Sequence, residues 1–122
     1  MTWALRAASA LLLFAALALP PHSASATEAF SGARDLRGWC GNMAVDDVHW
    51  GLCVGSITAV HDTVMTYQGF DDMNQLVCTN ETTTRGDVVT RVMQYMDDHP
   101  EDMEYSLGDV VLAALIEYYP CE

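Results

Sequence analysis

From residue 28 onwards the apolar residues of this chain recur at three- and four-residue intervals nearly throughout, the period of an α-helix, and no internal repeat or low-complexity tract interrupts them. The pattern predicts an all-α chain. A first helix starts at Ser31 as its cap, with Phe30 before it as a staple residue, and turns Leu36, Trp39 and Cys40 inward before Gly41-Asn42 ends it. A second runs from about Asp46 to Tyr67, two aspartates at its positive end, with Val48, Leu52, Ser56, Ile57, Val60 and Val64 as its inner stripe. Gly51, Gly55 and Ala59 recur every four residues along it. Each glycine inside a helix costs about 1 kcal/mol relative to alanine, so this line is expected to compensate by letting a neighbouring helix approach closely.

Periodicity fades between Gln68 and Thr82, which reads as a long connector with room for a short turn around Asp72 to Val77. Thr83 or Thr84 opens a third helix carrying Val88, Val89, Val92, Met93 and Met96. It stops near Asp98, because Pro100 drives the preceding residue out of the helical region. Ser106 and Asp109 cap a fourth helix in which Leu107, Val110, Val111, Ala114, Leu115 and Tyr118 share one face. Leu112, Ile116 and Tyr119 extend the apolar surface around its flank, which suits a central position or a covering subunit.

The residues before this domain have a different character. Arg6, the apolar run Ala7 to Leu19, too short to span a bilayer, and Ala24-Ser25-Ala26 read as the three regions of an export signal with cleavage after Ala26. Cleavage there leaves 96 residues, one domain with a modest core, and all four cysteines. An even cysteine count in a short exported chain predicts two disulfides. The short link between the third and fourth helices makes an antiparallel hairpin that returns Cys121 towards Cys78, while the turn after Gly41 brings Cys40 to Cys53. The expected fold is therefore a small disulfide-bridged bundle of four helices, or five.

Charge narrows the function. The mature segment holds four Arg, no Lys and 17 acidic residues, a net charge of −13. Such a surface repels nucleic acid and anionic lipid and favours a cationic partner. No second long apolar run predicts a membrane anchor once the signal is removed. A soluble periplasmic location in a Gram-negative bacterium fits best.

Catalytic and cofactor chemistry finds little purchase. His49, Cys53 and Cys40 are three soft ligand types, but oxidised cysteines do not ligate and no CxxC or HxxxH spacing occurs, so neither metal nor cofactor is expected. Asp97-Asp98-His99-Pro100-Glu101-Asp102 lacks the spacing and glycine of a calcium loop. His61 and Asp62 leave a helix about 100° apart, a poor start for an acid–base pair, and no GxSxG elbow is present. A binding function without catalysis remains. Its candidate residues are the carboxylates of the two connectors: Asp71 and Asp72 in the first, and Asp97, Asp98, Glu101, Asp102 and Glu104 in the second.

With these residues in view, the chain resembles the Rap/Tai immunity family, periplasmic proteins that neutralise peptidoglycan-cleaving amidase effectors of type VI secretion. Phe30-Ser31-Gly32 with Leu36 and Cys40 is similar to the family's opening helix. Cys53-Val54-Gly55-Ser56-Ile57 with Val60 and Asp62 matches its second block, where an aromatic usually stands at Ser56. Val88-Val89, Tyr95-Met96 and His99-Pro100-Glu101 resemble the third block, and Tyr119-Pro120-Cys121 the close. One departure is at Cys78, which Thr79 and Asn80 follow where the family usually has a proline shortly after. The resemblance implies an all-α, disulfide-bridged protein that blocks an amidase's active-site cleft, often as a homodimer. The leading expectation is thus a periplasmic inhibitor of a cationic cell-wall hydrolase. The alternative is a periplasmic interaction or chaperone-like protein with no toxin partner.

Overall fold

The computed structural model describes residues 31–70 and 75–122. The export signal, Phe30 and the Asp71-Asp72 pair, with the start of the turn expected at Asp72, lie outside the described residues. Four α-helices follow one another: α1 (Ala33–Gly41), α2 (Asp47–Phe70), α3 (Arg85–Asp98) and α4 (Leu107–Tyr118), with a 3₁₀ helix, Pro100–Glu104, between the last two. Two isolated bridges, Gly32 with Ser106 and Val77 with Pro120, are the β-type pairings among the described residues. The fold is an all-α bundle, and no described helix is long and apolar enough to cross a membrane.

Local sequence sets most helix ends. Thr84 caps α3: its hydroxyl accepts the Asp87 N–H at 3.2 Å while the Asp87 carboxylate accepts the Thr84 N–H at 2.8 Å. The Thr84 hydroxyl also donates to the same carboxylate at 2.7 Å, and this bond with the Thr84 N–H holds the Asp87 carboxyl below its usual range. Ser106 serves α4 in the same way, its oxygen accepting the Asp109 N–H at 3.2 Å. At α1 the expectation fails, because Gly32 rather than Ser31 is the cap residue and its N–H donates to the Asp35 carboxylate at 2.9 Å. Ser31 is engaged elsewhere. Its carbonyl accepts the Leu107 N–H at 3.2 Å, while Ala33 donates to the Tyr105 carbonyl at 3.1 Å, so the entry to α1 is laced to the entry of α4.

The second helix departs most from its expected face. Cys53, Val54 and Ile57 are buried, with Val60, Val64 and Met65 packed against the core, whereas Val48 and Leu52 are 68% and 40% exposed. The cause is the Cys40–Cys53 disulfide, with Cα atoms 4.9 Å apart, which turns Cys53 fully inward. At about 100° per residue, Val48 and Leu52 then stand roughly 140° and 100° away from it. The small line of Gly51, Gly55 and Ala59 also faces outward: a Cβ added at either glycine would meet nothing within 4 Å. No close helix contact compensates these glycines among the described residues.

The helix continues to Phe70, three residues past its expected end. Gln68 there clamps the returning chain, its Oε1 accepting the N–H groups of Leu76 and Val77 at 2.9 and 2.8 Å and its Nε2 donating to the Val77 carbonyl at 2.8 Å. Val77 is fully buried and pairs with Pro120, and Cys78 N–H donates to the Tyr119 carbonyl at 2.8 Å. The Cys78–Cys121 disulfide, also at 4.9 Å between Cα atoms, fastens this junction. Both cysteine pairings are those the helix order predicts. The C-terminal ends of α2 and α4 consequently lie together. Leu36, Ile57, Val77, Val92, Met96, Val110, Val111 and Leu115 fill the core between the helices.

Candidate partner-binding surface

The carboxylates of the second connector cluster where α3 ends, and most are engaged within the molecule. Arg37 donates to Asp97 at 3.0 Å and to the Met96 carbonyl at 3.1 Å, and Arg34 pairs with Glu104. These pairs tie α1 to the α3 end, and being exposed they contribute about 0–1 kcal/mol each. Asp102 accepts the Tyr95 hydroxyl at 2.6 Å. Burial first, then this bond and the nearby charges of Glu117 and Glu101, push the Tyr95 phenol up to about 12. The ring stacks on His99 with centroids 4.1 Å apart, and His99 Nε2 lies 3.7 Å from Glu117. Asp98 and Glu101 are exposed and have no hydrogen-bond or ion-pair partner among the described residues.

The two acidic connectors occupy different ends of the bundle. The first leaves the α2 end and reaches Val77, beside Pro120; the second lies at the far end of α3, next to α1. Fourteen residues of α3 separate them, about 21 Å of helix.

His61 and Asp62 differ from their expected geometry. Despite the angle between their Cα–Cβ bonds, the imidazole Nδ1 and Asp62 Oδ1 come to 3.0 Å, and Nε2 lies 3.5 Å from the Thr79 hydroxyl. Both side chains bend along the surface of α2 to meet, a reach that helical phase alone does not exclude. They line a cleft of about 210 Å³ with Thr58, Thr83 and Arg85. A 3.5 Å contact is the outer limit of a hydrogen bond, and an Asp62 side chain 70% exposed is screened, so the row is only loosely held. His49 contacts Asp46 at 2.7 Å, and Cys40 and Cys53 are consumed by their disulfide. No group of three or more His, Cys, Asp or Glu among the described residues is placed to hold a metal ion.

Apolar exposure marks a further surface that periodicity did not identify. Tyr67, Phe70, Leu76 and Ile116 are 76%, 87%, 51% and 39% exposed around the shared end of α2 and α4. A groove of about 300 Å³ runs between the same two helices, lined by Ala59, Thr63, Gly108 and Leu112 among others. Sequence reading located Leu112 and Ile116 but missed Tyr67, which it took only as the end of the second helix, and Phe70 and Leu76, because an assumed connector gives no face on which to place them.

This bundle, with its two cross-braces and its exposed apolar and acidic surfaces, has the build of a small binding protein. A family model of Rap1a immunity proteins matches residues 32–121, and the chain belongs to that family. Neither the search of curated proteins nor the search of solved structures returned a significant match. Membership brings with it an immunity protein's task, the binding of a target effector.

Proposed function

We propose that this chain is a periplasmic immunity protein that inhibits a peptidoglycan-cleaving amidase effector by occupying its active-site cleft. Family membership over residues 32–121 carries the reading, and the −13 charge of the mature segment supports it. An enzyme that works on an anionic wall benefits from a basic surface, which an acidic inhibitor complements. Export by the first 26 residues and two disulfides suited to an oxidising compartment belong to the same reading. It works as a binding protein without catalysis or cofactor. Of the connector carboxylates, Asp71, Asp72, Asp98 and Glu101 steer the encounter. Asp97, Asp102 and Glu104, held by Arg37, Tyr95 and Arg34, shape the loop that presents them.

The test is co-expression of the chain with the hydrolase encoded beside it, both sent to the periplasm, followed by binding kinetics on the purified pair. Wild type is expected to protect the cells. Its association rate is expected to fall as the Debye length shrinks from about 10 Å at 0.1 M salt to about 3 Å at 1 M. Asp98→Asn/Glu101→Gln and Asp71→Asn/Asp72→Asn should each slow association with little change in dissociation. Absence of an adjacent hydrolase gene, or no binding at low salt, overturns the proposal.

A further inference from the structure

Every Arg of the domain lies on α1 or α3, or immediately follows the chain's entry to them: Arg34, Arg37, Arg85 and Arg91. The other two helices carry no cation beyond the two histidines of α2. The charges of this face are consequently carboxylates: Asp109 in the groove itself and Asp46 and Asp47 at the start of α2, whereas Asp62 stands on the other flank of α2, in the cleft it shares with Arg85. Within that border the surface is apolar. At about 100° per residue, Leu52, Ala59, Thr63 and Phe70 fall within roughly 40° of one another on the outer side of α2. Ala59 and Thr63 line the groove, Leu112 closes it from α4, and Ile116 lies one turn further along beside the exposed Phe70 end.

We infer that this α2–α4 face is where the cationic effector docks, its apolar anchor seated in the groove and its basic rim meeting the carboxylate border. The inference rests on the immunity reading above and assigns the contact that gives it affinity. Large apolar side chains standing 39–87% exposed at the shared end of α2 and α4, next to a groove between the same two helices, exceed the scattered exposure normal for a soluble chain. Aromatic anchors in a desolvated centre hold most of an interface's binding energy, while rim charges chiefly set the encounter rate. Charge selects the occupant. In a symmetric pair the same patch meets itself, so a second copy would bring carboxylates against carboxylates around the groove, whereas a basic protein satisfies them.

The purified mature chain with both disulfides formed is assayed against the hydrolase encoded beside it by surface plasmon resonance, with circular dichroism as the folding control. Phe70→Ala/Ile116→Ala removes only exposed side chains and is expected to keep the helical signal, weaken binding at least tenfold and act mainly on dissociation. Thr63→Arg, which fills the groove with a cation, is expected to do the same, and Thr90→Ala on α3 to bind as wild type. If wild type binds and both face variants match it, the docking face is wrong while the immunity reading stands. If wild type itself does not bind, the immunity reading has failed. A concentration-dependent wild-type dimer that Phe70→Ala/Ile116→Ala converts to monomer would show a second copy on this face and overturn the assignment.

Discussion

Gln68 shows how much one side chain can settle. Its amide satisfies two N–H groups and one carbonyl of the segment at Leu76 and Val77, where Val77 is fully buried and Leu76 is exposed. Gln68→Ala leaves those groups unpaired and is expected to cost about 2–3 kcal/mol in urea denaturation. Gln68→Glu keeps both acceptors but opposes a carboxylate to the Val77 carbonyl, so its penalty should shrink near about pH 4, where the protonated acid can donate. Tyr95 makes a prediction at the other end of the pH scale. Its phenol is raised from an ordinary 10.0 to about 12, so the folded state holds the proton more tightly than the unfolded chain. The resulting stability is complete below pH 10 and is lost as pH rises towards 12. In denaturant titrations at neutral pH and at about pH 11, wild type should lose more stability than Tyr95→Phe.

At the scale of elements, caps and faces obey different rules. The α3 cap is local: Thr84→Ala removes a hydroxyl that receives the Asp87 N–H, and should lower stability by about 1 kcal/mol. Helix α2 shows the reverse situation. Its glycines stand in open space, so Gly55→Ala meets no atom and should raise stability by about 0.5–1 kcal/mol through lower unfolded-state entropy. A fall in melting temperature for Gly55→Ala would instead indicate a close neighbour and restore the tight-packing expectation. The two helices thus differ in legibility. Cap residues signal by identity and position along the chain, whereas the direction of a face depends on what anchors it.

For the whole molecule the disulfides are the main staples. The chain-entropy model gives the Cys78–Cys121 loop, 43 residues in span, about 4 kcal/mol, and the Cys40–Cys53 loop, 13 residues, about 3 kcal/mol. Cys78→Ser/Cys121→Ser should accordingly be the more damaging pair in denaturant titrations. It should also loosen the junction that presents Tyr67, Phe70 and Leu76, and so weaken effector binding beyond the loss of folded protein. The distribution of charge is a property of this scale too. All four Arg lie on α1 and α3, where Arg34 and Arg37 pair with carboxylates and Arg91 stands over the Tyr118 ring, and none lines the groove between α2 and α4.

By itself the sequence determined the helical class, the start of α3 to within Thr83 or Thr84, the start of α4 at Ser106, the stop before Pro100 and the pairing of the cysteines. Each of these follows from a local preference or from a short link whose geometry has few solutions. The faces of α2 and the fate of the carboxylates were decided by tertiary structure. A stripe of Val48, Leu52 and Ile57 reads equally well in neighbouring rotations, and only the bond from Cys53 to Cys40 selected one, exposing Val48, Leu52 and the glycine line. Likewise a run of acids looks uniform along the chain. Distance in space separated Asp97 and Glu104, neutralised by arginines some 60 to 70 residues away, from Asp98 and Glu101, which face solvent. Pairing energy depends on three-dimensional proximity, and a linear pattern of charge does not encode it.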